Sequence, residues 1–105
     1  MNLDNEQLNA LSAPDRERYM ELERFFASKG WKIFQAMAVD NANSALMAGA
    51  NAATWADNRV AYGNRSAWLY VLNLEQSTEQ EFEAKAAKTL QAAEIARFAE
   101  ESEYE

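Results

Sequence analysis

The side chains able to do chemistry in this sequence are few, and their types narrow its repertoire at once. The chain has no histidine and no cysteine. Imidazole and thiolate metal ligands, disulfides and nucleophilic cysteine chemistry are therefore outside its reach, as are Ser-His and Cys-His catalysis. Carboxylates, lysine, tyrosine and arginine remain. Asp40 and Asp57 are the isolated acids in the least charged part of the chain. A paired-carboxylate mechanism needs both in one cleft, and their spacing along successive helices leaves that relation open. Glu79, Glu81 and Glu83 could offer oxygen to a weak Ca²⁺ or Mg²⁺ site, but the spacing of an EF-hand loop is missing. A solvated helix face is the simpler account of them. No Gly-rich phosphate loop is present. The expectation is a non-enzymatic protein with no catalytic residue, no metal and no cofactor.

Residues suited to binding are easier to find. Arg59 and Arg65 share one stretch with Trp55, Tyr62 and Trp68, and Arg and Trp are the types most enriched at binding hot spots. The competing account pairs the arginines with the acidic last helix and puts the tryptophans in the core. Upstream, Ala38, Ala42, Ala45, Gly49 and Ala52 step by fours and threes, a ridge of the smallest side chains along one helical face. Such a face lets a second helix approach at the short end of the usual interaxial range. That helix could belong to the same bundle or to another subunit. Together these ten residues are the candidate interface.

The segment from Asn51 to Trp68 contains the pattern Trp-x-x-Asn-Arg-x-Ala-x-Gly, carried by Trp55, Asn58, Arg59, Ala61 and Gly63. It resembles helical segments in small proteins encoded in the structural gene modules of tailed bacteriophages. The resemblance covers less than a fifth of the chain and brings no catalytic signature. It implies a virion or assembly role, with repeated copies around a symmetric structure, and a location in the virion or the host cytoplasm.

The elements that must position these residues read as helices. The chain is 105 residues long, enough for one compact core. Ala, Leu, Met, Glu, Gln, Lys and Arg dominate, the best helix formers, whereas Val and Ile together number only 5. The 49% hydrophobic content includes 21 alanines, which bury little area each, so the mean hydropathy stays at -0.51. Three glycines and one proline leave few breakers.

Cap signals then set the helix starts. Ser12-Ala13-Pro14-Asp15 places a hydroxyl at an N-cap and proline in the first turn. Thr54 precedes Asp57, and Thr78 precedes Glu81, at capping-box spacing. Gly30 interrupts the apolar stripe of Tyr19, Leu22, Phe26, Ile33 and Met37, as a break or a kink. Residues 67–72 are apolar without interruption, but Val60, Gly63, Ala67, Val71 and Leu74 keep helical steps. A helix apolar nearly all round needs cover on several sides. The expected fold is all-α: a three- or four-helix bundle over 13–29, 31–53, 55–74 and 79–100, with short loops. An N-terminal arm of 1–12, in which Asp4 to Leu11 could form a short helical turn, and a frayed acidic tail of 101–105 flank the helical domain of 13–100.

Charge bears on partners. The net charge is -7, and residues 75–105 carry 3 basic against 9 acidic side chains. An acidic chain with one strongly acidic end is poorly suited to a phosphate backbone, so no direct nucleic-acid contact is expected. No signal-peptide pattern opens the sequence and no run of about 18 apolar residues exists, so no membrane partner is expected either. The partners expected are protein subunits, in a homo-oligomer or a phage structural protein. The alternative is a small acidic inhibitor or regulator that occupies a basic site on a host protein.

Overall fold

The computed structural model describes residues 1–103, of which 88% are helical, with no strand among them. Five helices follow one another: α1 (Asn5–Ala10), α2 (Ala13–Ala27), α3 (Lys29–Ala50), α4 (Trp55–Leu72) and α5 (Leu74–Glu103). The all-α class follows from the propensities, and residues 67–72 are helix. None of the described helices is long and apolar enough to cross a membrane.

Side-chain caps decide most of the starts. Asp4 and Gln7 form a reciprocal capping box that opens α1. Ser12 Oγ accepts from the Asp15 N–H at 3.2 Å, and Thr54 Oγ1 accepts from the Asp57 N–H at 3.1 Å. Two expected boundaries are corrected. The break near Gly30 falls at Ser28, whose Oγ accepts from the Trp31 N–H and donates to the Phe25 carbonyl. Gly30 lies inside the first turn of α3, where glycine is tolerated because the hydroxyl has already ended α2. The loop expected at Gln76–Glu79 is helical as well. The chain turns at Asn73, whose N–H bonds back to Leu69 and Tyr70 carbonyls, so α5 has begun before Thr78 could cap it. The last helix also runs on through Glu103; Tyr104 and Glu105, the end of the expected tail, lie outside the described residues.

The helical domain expected over 13–100 is divided. One compact unit comprises Met1–Glu23 with Gln76–Glu105, the other Arg24–Glu75. In the first, Leu11, Tyr19, Phe82 and Ala86 form a buried cluster, flanked by Met1, Leu3, Leu8, Ala10 and Leu22. Residues read as an arm thus contribute to a core. Tyr19 and Phe82 meet edge to face at 5.3 Å, a geometry that suits the ring quadrupoles. Arg16 fastens the α1 end by donating to the Leu8 and Leu11 carbonyls. The second unit is centred on a helical hairpin, α3 packed against α4, joined by the four residues 51–54. A connection that short makes neighbouring helices antiparallel.

Candidate functional site

All ten residues of the candidate interface fall in Arg24–Glu75. The hairpin divides them into an inner and an outer set. Ala38 and Ala42 are buried and Ala45, Gly49 and Ala52 half-buried. Gly49 faces α4 closely: a Cβ built there would sit 3.5 Å from Ala61 Cβ. The Asn58 side chain donates to the Gly49 carbonyl at 3.0 Å, a polar clamp across the hairpin. Of the two destinations open to the small-residue ridge, this stretch of it therefore packs within its own chain, against Ala61.

The outer set lies on α4. Trp55 is 74% exposed and Tyr62 71%. The Arg59 guanidinium sits 5.7 Å from the Trp55 ring centroid, within cation–π range. Arg65 is half-buried, and so is Trp68, which closes a chain of aromatic contacts running Phe26–Trp31–Phe34–Trp68. Two shallow grooves share Asn58 and Tyr62. One, about 240 Å³, is also lined by Leu46, Gly49 and Arg65; the other, about 300 Å³, by Trp55 and Arg59.

The apolar wheel of 60–74 is not the covered centre of a bundle. Val60 is 64% exposed and Tyr70 70%, while only Ala61 on α4 is buried. On α3, Leu46 and Met47 are exposed too. Sequence reasoning missed Leu46, Met47, Asn58 and Ala61 as site residues. Asn58 and Ala61 stood in the pattern that carries the phage resemblance, but its spacing does not say which member faces α3.

In the other unit, Tyr19 reads in the sequence only as a member of an apolar stripe, and Glu79 only as oxygen for a weak cation site or as part of a solvated helix face. Tyr19 is 1% exposed; its hydroxyl donates to Glu79 Oε2 at 3.1 Å and accepts the Leu3 N–H at 3.1 Å. Glu79 Oε1 also accepts the Asn2 N–H at 2.6 Å. Burial pushes the phenol from 10.0 up to about 12; the Leu3 N–H pulls it down, and the nearby Glu79 and Glu23 carboxylates add to the rise. A phenol held in its neutral form this way is a structural donor, poorly suited to proton transfer near neutral pH. Lys85 stands 3.7 Å from Asp15 and 3.8 Å from Glu81. Asp40 and Asp57 are both exposed. Among the described residues no three acidic side chains converge as a metal site would require.

In comparisons with known proteins, no family model, no curated protein and no solved structure matches this chain.

Proposed function

We propose that this chain is a non-enzymatic structural or assembly component that works through helix–helix contacts, with itself or with a larger ring, in a bacteriophage particle. The observation that carries the reading is the apolar surface of the α3–α4 hairpin. Leu46, Met47, Trp55, Val60, Tyr62 and Tyr70 are each at least half exposed, and Leu46, Trp55 and Tyr62 line two adjoining grooves. Large exposed apolar patches mark interaction sites. Trp, Tyr and Arg on one face add the composition of a hot spot. The phage setting is supported by the resemblance of residues 51–68 alone.

Light scattering over a concentration series tests the assembly. The wild-type chain is expected to exceed the monomer mass, and Leu46→Glu with Tyr62→Glu to return it to monomer with helicity unchanged. A wild type that stays monomeric at every concentration would sink assembly by self-contact.

A second reading, a small acidic inhibitor of a basic protein, draws on charge. Met1–Glu23 with Gln76–Glu105 holds 14 acidic against 5 basic side chains. That reading calls for a monomer or dimer that binds a basic partner and loses it at high salt.

A further inference from the structure

Resting on the assembly reading, the partner itself can be specified. The first observation is on α5: every residue from Gln91 to Ser102 is exposed, among them Ile95 at 63% and Phe98 at 67%. An isolated helix of this length is marginal in water, and two large apolar groups on its surface ask for cover. Residues three and four apart are neighbours on a helix. Phe98 is accordingly flanked by Glu94 on one side and Glu101 on the other, with Arg97 the one cation beside them, which leaves the row net negative.

The second observation is its mirror image in charge. On α4, Tyr62 is flanked by Arg59 and Arg65, each three residues away, and the three line the two adjoining grooves. At 1.5 Å per residue, the arginines are about 9 Å apart along the axis and the glutamates about 10.5 Å. The rows match in length. Asp57, the nearest acid on α4, falls off this row by the helical period. The units differ in the same sense, at net +2 for Arg24–Glu75 and net -9 for the rest. Small-molecule pockets run from about 300 to 1,000 Å³. Grooves of about 240 and 300 Å³ suit single side chains better.

We propose that the Glu94–Phe98–Glu101 row of one copy docks on the Arg59–Tyr62–Arg65 row of a second copy. Phe98 and Ile95 fill the grooves beside Tyr62, and the carboxylates pair with the guanidiniums. The contact is heterologous, because it joins two different surfaces, so successive copies close into a ring or extend as a filament.

Charge reversal in the full-length chain tests this. Arg59→Glu with Arg65→Glu makes one variant, and Glu94→Lys with Glu101→Lys makes another. Each alone sets like charges against each other and is expected to weaken self-association at least about tenfold, as the loss of hot-spot contacts does. Mixing the two restores opposite charges wherever the variants alternate and is expected to bring back species heavier than either variant alone, read by sedimentation velocity. Circular dichroism identifies a variant that has lost its fold; Phe98→Asp, at the exposed centre of the Glu94–Phe98–Glu101 row, then tests the same contact through the same loss of mass. Three results overturn the proposal. If the wild type associates but the reversals leave its mass unchanged, the interface lies elsewhere and the assembly reading stands. Variants that dissociate but do not recover on mixing point to contact between like surfaces. A monomeric wild type removes self-assembly as a whole.

Discussion

In the unit of Met1–Glu23 and Gln76–Glu105, a phenol, a carboxylate and two backbone N–H groups close one polar network around the Tyr19–Phe82 contact. In Arg24–Glu75 the Trp31 indole N–H is buried with no hydrogen-bond partner, and most large apolar groups of α3 and α4 face outward. The first unit buries a cluster around that contact and satisfies its hydroxyl, though Met20, Ile95 and Phe98 stay exposed. The second leaves a buried donor unmade and more of its large apolar groups in water. Leaving a buried donor unmade costs roughly 1–3 kcal/mol, and exposed aromatics forgo about 25 cal/mol for each Å² left in water. The difference teaches that the hairpin buries Ala38, Ala42 and Ala61 while most of its large apolar side chains stay exposed, which is the surface the assembly proposal draws on.

The largest expected effect tests the covered unit. Phe82→Ala removes a ring at 1% exposure and is expected to cost about 3–5 kcal/mol, measured by urea denaturation followed by circular dichroism. A cost below about 1 kcal/mol would mean that this core is no tighter than the hairpin.

Next comes the hairpin interior. Gly49→Leu adds bulk where Ala61 is one van der Waals contact away, and should cost about 1–3 kcal/mol. Gly49→Ala at the same place meets only ordinary contact and should be neutral or stabilising, by up to about 1 kcal/mol of helix propensity. If Leu is tolerated in the melt but particle mass falls, the ridge serves another subunit after all.

The Tyr19 network predicts a pH dependence. Its folded-state value lies above the ordinary one, so the neutral phenol is favoured in the fold. That stabilisation is complete below about pH 10, the unfolded value, and is lost as pH rises through the folded one near 12. Urea midpoints of the wild type should therefore fall between about pH 10 and pH 12 relative to Tyr19→Phe; parallel curves would show that Tyr19 does not carry the dependence.

Smallest is the outer surface of α4. A Cβ at Gly63 meets nothing within 4 Å, and Gly63→Ala is expected to raise stability by about 0.5–1 kcal/mol. A loss of assembly in that variant would show that a partner backbone comes close there.

The capped starts were legible in the sequence because an N-cap is a local bargain between one hydroxyl and one N–H. Ser12 and Thr54 kept it. Thr78 and Glu81 have the same spacing and deceived, since a cap signal cannot announce that the helix began four residues earlier, after Asn73. Gly30 deceived for a related reason: Ser28 supplied two hydrogen bonds that end one helix and start the next, and a glycine inside a first turn costs little. At the site, the ten interface candidates were found by composition, and their common unit followed from proximity in sequence. Their division into inner and outer faces was not legible. A small residue such as Ala61 or Ala52 carries no mark of which helix it meets, and only the pairing of α3 with α4 decides it. The Tyr19–Glu79 contact joins residues 60 positions apart, beyond any local periodicity.

The placement of the tryptophans has an optical consequence. All three, Trp31, Trp55 and Trp68, fall within Arg24–Glu75, and they sample a buried, an exposed and a half-buried setting. Indole emission shifts with the polarity around the ring. Indole emission, excited to the red of tyrosine absorption, thus reports on Arg24–Glu75 alone, its blue component following the aromatic cluster and its red component the outer face. The other unit holds tyrosine but no tryptophan and is silent to that excitation. Melting followed by emission and by ellipticity compares one half of the molecule with the whole, and no dye or label is needed.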